Sequence, residues 1–452
     1  MYCYRTSSNL PETTRYGRRM RRPYGLSLWR FMLKELVGFL FLLAIELWGV
    51  IPGFAQTPKS QAPIHQITLD EAVGLLLENN PNLMSEKLRI QIAQTKEITA
   101  GLRPNPIFSN TNDILSPVKE YTAVITQLLE RGGKRQLRIQ SARLETQIAE
   151  ADFADRVRLL TFEVKKAFIQ LLLAKLNREL AQKNLMAFQE ILRLNTLRFQ
   201  KGDISGSDLK KITLEQLKFQ NDLNAATLQL TQTRVALWNL LYTPRLSKDF
   251  EVKGDLKFKN VQLTLNDLID AAFHHRPDWI SALKANEKAE ADARLAVANG
   301  KVDITAEIDY KRTGPDNTGI FGFSIPLPLF NRNQGEIQGS RLEVQRSKIT
   351  LEALKSQIMS EVENAFESFK STRETVLLYE AGMSGTEGYL KQAESLREVA
   401  QFAYNQGETS LLDLLDAERT YRDTQLNYHQ ALANYLISLY QINLSVGKEV
   451  VQ

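Results

Sequence analysis

The chain of 452 residues carries 57 Lys or Arg against 52 Asp or Glu, a formal charge of +5, with 43% hydrophobic and 24% charged residues. The surplus is confined to residues 1–55, which hold eight basic and three acidic side chains; the remainder has 49 of each, so a basic nucleic-acid surface has no support. Cys3 is the single cysteine, which excludes a disulfide framework, a thiolate metal centre and a cysteine nucleophile from everything after the leader.

That leader explains its own charge. Arg15, Arg18, Arg19, Arg21, Arg22, Arg30 and Lys34 precede an apolar stretch, Leu36 to Ala55, ending in Gly53-Phe54-Ala55. A basic segment, an apolar core and small residues at the exit make residues 1–55 a secretory signal peptide of the Sec type, cleaved after Ala55. An uncleaved anchor of twenty residues is the alternative, which Glu46, Pro52 and the Gly-x-Ala end disfavour. No cysteine sits at the cleavage point, so lipid attachment there is ruled out.

After a linker at 56–66, Thr68 and Glu71 form a capping-box pattern that starts a helix. Asn79-Asn80-Pro81-Asn82 interrupts it, and a second helical stretch runs to about Ala100, ended by Gly101 and Pro104. Residues 105–114 and 121–129, about a turn at Ser116-Pro117, read as two strands. Lys134 to Lys201 then contains neither Gly nor Pro over 68 residues. Within it Phe153, Val157, Leu160, Val164, Ala167, Leu171 and Ala174 form a heptad seam, leaving Arg156, Arg158, Glu163, Lys165 and Lys166 facing away. One continuous helix of that length reaches about 100 Å at 1.5 Å per residue. Gly202-Asp203-Ile204-Ser205 reverses the chain into another helix, and 245–262 reads as a connector.

The pattern then repeats. Ile67-Thr68-Leu69-Asp70 and Leu263-Thr264-Leu265-Asn266 lie 196 residues apart, and Gly202 and Gly407 lie 205 apart. The two repeats span 67–244 and 263–447, with a tail at 448–452. In the second, Val302, Ile304, Ala306, Ile308 and Tyr310 alternate with Asp303, Thr305, Glu307, Asp309 and Lys311. Thr313 to Asn317 makes the turn, and Phe321, Phe323 and Ile325 line the return strand of a hairpin at about 302–326. Arg341 to Ala381 is again free of Gly and Pro, and helix resumes from Tyr389 to Gln406 after glycines 382, 385 and 388. The expected fold is mainly α with a small β part: long antiparallel helical hairpins, two β-hairpins and an internal duplication.

Strict alternation over ten residues suits a transmembrane barrel strand with Val302, Ile304, Ala306 and Ile308 toward lipid and Asp303, Thr305, Glu307 and Asp309 toward water. A soluble edge hairpin is the alternative. Four strands cannot close a barrel, and an open edge cannot lie in hydrocarbon, so the strands call for an oligomer.

Catalytic constellations are missing. His65, His274, His275 and His429 lack a His-Glu-x-x-His pattern and read as structural or solvated; no cofactor or metal is expected. Gly132-Gly133-Lys134 lacks the spacing and the Ser/Thr of a phosphate loop and reads as a turn.

Each β-hairpin leaves through a distinctive corner: Glu130-Arg131-Gly132-Gly133-Lys134-Arg135 in the first repeat, and Pro326-Leu327-Pro328-Leu329-Phe330-Asn331-Arg332-Asn333-Gln334-Gly335 in the second. With Arg276-Pro277-Asp278, these corners resemble the TolC-like outer-membrane efflux proteins, and most of all the CzcC-type branch that serves heavy-metal export. The resemblance covers Ile67 to Gly447. It implies a homotrimer whose strands form a 12-stranded barrel in outer-membrane lipid, continued by a helical tunnel across the periplasm. It further implies a periplasmic adaptor and an inner-membrane RND-type pump as partners, and a passive exit duct as the function. The tips carrying Arg198, Phe199, Gly202, Asp208, Tyr404 and Gly407 would meet the adaptor. Asp413 and Asp416 match the paired aspartates that constrict the tunnel entrance, although Asp413 also fits a helix cap with Ser410. In the first repeat Asp208 and Lys211 stand at the matching sites, and Lys211 is a candidate to bridge to a neighbouring hairpin. The rival readings are a pore-less periplasmic coiled-coil adaptor and a TolC-like duct for organic drugs.

Overall fold

The computed structural model describes residues 66–243, 248–382 and 386–450. The leader, most of the linker, His65, Pro244 and Gly385 lie outside the described residues.

Local rules set the element boundaries. Strand β1 (Gln66–Ile67) is followed by α1 (Leu69–Asn79), whose capping box is complete: Thr68 N–H donates to Glu71 Oε2 at 2.8 Å, and Glu71 N–H donates to Thr68 Oγ1 at 3.3 Å. Helix α2 (Pro81–Gly101) begins at a proline, where a missing N–H is harmless, and Asn80 Oδ1 accepts from Asn82 and Leu83. Strands β2 (Ile107–Asp113) and β3 (Glu120–Leu129) lead into α3 (Lys134–Lys201), one helix of 68 residues, and α4 (Gly206–Leu241). Strand β4 (Glu251–Val252) pairs in parallel with β1. The second series is α5 (Leu265–His275), α6 (Pro277–Asn299), β5 (Ile304–Thr313), β6 (Asp316–Ser324), α7 (Gln334–Glu380), α8 (Tyr389–Gln406) and α9 (Leu411–Val446).

Strand ends shift by one or two residues, with Val302 and Asp303 before β5 and Ile325 after β6, and two further boundaries differ from the sequence expectation. Helix α7 starts at Gln334, seven residues before Arg341, and runs through Gly335 and Gly339. The turn between β5 and β6 is also tighter than Thr313 to Asn317. Thr313 pairs with Asp316, leaving Gly314-Pro315 as a two-residue loop with Gly314 at φ 58°.

The second sheet is antiparallel throughout, in the order β2-β3-β5-β6, so β2 and β6 are its edges. Its register aligns Phe108, Ile125, Ile308 and Phe321 in one row across all four strands, every one of them exposed. Side chains alternate between faces, so Thr305, Glu307, Asp309 and Lys311 share the opposite face. Strands of nine or ten residues, as in β3, β5 and β6, match the length that crosses a bilayer at a tilt. Among the described residues no helix is long and apolar enough to cross a membrane.

The main core joins Leu160, Val164, Phe168 and Leu171 of α3 to Ile358, Val362 and Phe369 of α7 and to Tyr435, Leu439 and Ile442 of α9. The heptad seam is therefore real but widens at its middle, where Phe168, Ile169 and Leu172 are buried beside it. Arg158 and Lys165 do not face away from it. Arg158 pairs with Asp155 and donates to Leu444 O, and Lys165 pairs with Glu449 over the Tyr440 ring. The C-terminal end of α9 covers what the heptad pattern alone leaves to solvent.

Candidate functional site

The two helix reversals lie against each other and form one tip. Gly202 and Gly407 end α3 and α8 at φ 85° and 77°, which only glycine adopts without strain. Asp203 N–H donates to Arg198 O and Glu408 N–H to Ala403 O, both at 2.9 Å, closing the last carbonyls in Schellman fashion. Arg198 Nη2 donates to Asn405 O at 3.1 Å, and its guanidinium lies 5.2 Å from the Tyr404 ring centre. The Tyr404 hydroxyl donates to Asn195 Oδ1 at 2.5 Å, and Asn195 Nδ2 donates to Ile191 O at 2.8 Å. Beneath them Leu185, Phe188 and Ile191 pack with Ile212 and Phe219, the Phe188 and Phe219 rings stacked at 4.5 Å.

This arrangement sorts the tip residues named from sequence. Phe199 and Asp208 are accessible, whereas Tyr404 is buried and, with Arg198, ties one hairpin to the other. Sequence reasoning missed Asn195, because an Asn inside a helix reads as a surface residue until its tyrosine partner 209 positions away is known. Tyr404→Phe should keep the ring and strand the buried Asn195 carbonyl, lowering stability by about 1–3 kcal/mol. Thermal unfolding of the variant against the unsubstituted protein measures it.

The acidic pair divides. Asp413 Oδ2 accepts from Thr409 Oγ1 at 2.8 Å, Ser410 Oγ at 2.7 Å and Ser410 N–H at 3.2 Å, while Asp413 N–H donates back to Ser410 Oγ. The bonds from Ser410 and Thr409 hold its carboxyl below the usual carboxylate range. Asp413 is thus engaged as a helix cap, and Asp416 is exposed one turn further in. At the first reversal Ser205 caps α4 through Asp208, and Lys211 Nζ lies 3.2 Å from Asp208 Oδ1. Lys211 directs its charge to its own helix, and among the described residues it bridges to no neighbouring hairpin of this chain.

The strand-to-helix corners depend on left-handed residues. Gly132 and Gly133 take φ 74° and 73°, and a β-carbon on Gly132 would come within 2.9 Å of Lys301 Cδ. Lys134 Nζ is buried between Asp303 Oδ2 and Lys301 O, each at 2.8 Å, and Arg138 pairs with Glu130. At the second corner the left-handed residue is Asn333, at φ 61°, with its Nδ2 donating to Ala296 O at 2.8 Å. Gly335 instead sits in the first turn of α7, Asn331 Oδ1 accepts from Asn333 N–H at 2.9 Å, and Pro326 and Pro328 lie exposed before them.

A buried charge cluster joins the long helices. Arg276 is 2% exposed and its guanidinium forks onto Asp278 at 2.6 and 3.0 Å, then reaches Glu361 of α7 at 2.7 Å and Ser445 O of α9 at 3.1 Å. Arg158 of α3 lies 3.6 Å from the same Asp278. Burial alone would push the Asp278 carboxyl up; the hydrogen bonds and charge of Arg276, with Arg158 behind, carry it below the ordinary range.

The three described histidines form no such centre. His274 Nδ1 contacts Asp270 O, His275 Nε2 lies 3.3 Å from Lys448 Nζ, and burial pushes the His429 imidazole down beside Asn177. Among the described residues no three His, Cys, Asp or Glu gather as metal ligands.

Known proteins place this architecture. The family described as outer membrane efflux protein matches residues 72–241 and 268–448. The cobalt-zinc-cadmium resistance protein CzcC of Cupriavidus metallidurans is 24% identical over 408 residues, covering 86% of this chain and 94% of its own. Among solved structures, the Campylobacter jejuni CmeC outer membrane channel superposes with a TM-score of 0.71 at 15% identity, covering 88% of this chain and 92% of its own. The Neisseria gonorrhoeae MtrE outer membrane channel in its open state gives 0.70 at 18%, covering 89% and 96%. With a four-stranded sheet, three of whose strands are of membrane-crossing length, set on helices too long for a globular domain, and a family match over most of its length, the chain belongs to the outer membrane efflux proteins.

Proposed function

We propose that three copies of this chain form a passive exit duct that carries heavy-metal cations out through the outer membrane, after a leader at 1–55 delivers the chain across the inner membrane. The observation that carries the trimer is the sheet: four strands with β2 and β6 left as free edges. Two copies would supply eight strands, which side chains fill, whereas three supply twelve and leave a channel. Exposed apolar stripes support the same assembly, with Leu214, Leu217 and Leu228 on α4 and Leu396, Val399 and Phe402 on α8 awaiting a neighbour. A pore-less adaptor has no use for such a sheet. Each copy would be built as two repeats, 67–244 and 263–447, whose tips meet a periplasmic adaptor and, through it, an RND-type inner-membrane pump.

Cargo is argued from likeness to CzcC, named for cobalt, zinc and cadmium resistance. Deleting the gene should raise sensitivity to divalent transition metals more than to dyes or detergents; sensitivity confined to organic compounds would transfer the duct to drug export.

The tunnel entrance is assigned to Asp416, with Asp413 holding the helix start beneath it. Three exposed Asp416 carboxylates around one axis would attract cations and repel one another. Planar-bilayer recordings of Asp416→Ala should show raised conductance and weakened block by divalent cations. Unchanged values of both would remove that residue from the gate.

A further inference from the structure

Strand β6 stays apolar after its hydrogen bonds end. Phe321 and Phe323 are exposed on the face that carries Ile308, and beyond Ser324 the same two-residue spacing continues through Ile325, Leu327 and Leu329, which are 41%, 76% and 66% exposed. Phe330 follows at 91%. Pro326 and Pro328 interleave with them; each holds its preceding residue extended and brings no N–H to satisfy. So much apolar surface on a corner calls for a cover.

Charge around the corner shows what kind. The corner acids Glu130 and Asp303 are taken by Arg138 and Lys134, while Arg131, Lys301 and Arg332 stay exposed, against Glu336. Arg332 is held close to the apolar run, its Nε donating to Pro328 O at 3.2 Å. An apolar run ending in exposed cations fits the boundary between acyl chains and anionic phosphate headgroups.

We propose that residues 325–330 insert into the near leaflet of the outer membrane, at the helix end of the barrel, and seat the duct there. The occupant is phospholipid rather than a second copy of the chain. A neighbouring copy adds in the plane of the sheet, along the free edge of β6, whereas Ile325 and Leu327 keep the two-residue spacing of the outward-facing Phe321 and Phe323 before Leu329 N–H turns back onto Leu327 O at 2.8 Å. The proposal rests on the reading that this sheet spans the membrane, and the test separates the two.

The full-length chain is reconstituted in phosphatidylcholine–phosphatidylglycerol vesicles whose acyl chains are brominated, with Phe330→Trp and Leu329→Trp as separate variants and Ile308→Trp as the mid-sheet control. Emission added by each tryptophan is read over the background of the four native tryptophans, of which Trp238 and Trp279 lie in helices. The expected result is loss of most of the added emission at 329, 330 and 308. Quenching at 308 with full emission at 329 and 330 overturns the seat while the barrel stands. Full emission at all three overturns both.

Discussion

Replacing Arg276 by Met should destabilise the helical body by about 3 kcal/mol, the low end for removing one partner of a buried ion pair. Methionine fills a similar volume but leaves Asp278 and Glu361 facing each other without the cation that both now contact. The low end applies because the Asp278 and Glu361 side chains keep 22% and 41% exposure, and Arg158 remains 3.6 Å from Asp278. Arg276→Lys should fall between, since an ammonium restores the charge without the fork. The pH dependence has a definite sign. Asp278 has a folded pKa below its unfolded value, so its contribution is fully present above the unfolded value of about 3.9 and disappears as pH falls through the folded one. The gap between Arg276→Met and the unsubstituted protein should therefore be full at pH 6 and shrink below about pH 4. Urea unfolding followed by helical signal at both pH values tests this. A variant within about 0.5 kcal/mol of the unsubstituted protein at pH 6 would mean the cluster is not a structural junction.

What could be read from the sequence was local. Lys134 and Lys201 bound α3 because Gly133 and Gly202 flank a run with no breaker, and Thr68 with Glu71 announces a cap that needs nothing distant. The misreadings arise where a distant partner decides. Gly335 reads as the end of a corner, yet packing along α7 carries the helix through it and Gly339 against a penalty of about 1 kcal/mol for each. The left-handed position fell to Asn333, which tolerates that conformation and secures it through Ala296 O, 37 residues away in sequence. A heptad pattern shows which face of α3 is apolar, but not that Leu444 and Glu449 will cover Arg158 and Lys165. At the site, the Ser410–Asp413 cap was legible as a three-residue pattern. The burial of Tyr404 against Asn195 was not, and neither was the convergence of Arg276 on Glu361, 85 residues on.

The sheet makes the sharpest demand on the membrane. Ile304, which alternation offers as lipid-facing, is the opening residue of β5 and pairs with Leu129 at the very end of β3. The middle of β5 is Ile308, flanked by Ile125 on one side and Phe321 on the other. An arginine on the lipid face costs about 2–4 kcal/mol at the midplane and about 0–1 kcal/mol near an interface. Ile308→Arg should therefore lose most of its folded, membrane-inserted assembly, while Ile304→Arg loses little. Asp309→Arg, one residue along and on the opposite face, reverses a charge in the polar interior and should still assemble. The yield of heat-modifiable oligomer from outer-membrane fractions ranks the three variants. If Ile308→Arg and Asp309→Arg assemble equally well, neither face of β5 meets lipid, and the exposed row from Phe108 to Phe321 must be covered by protein instead.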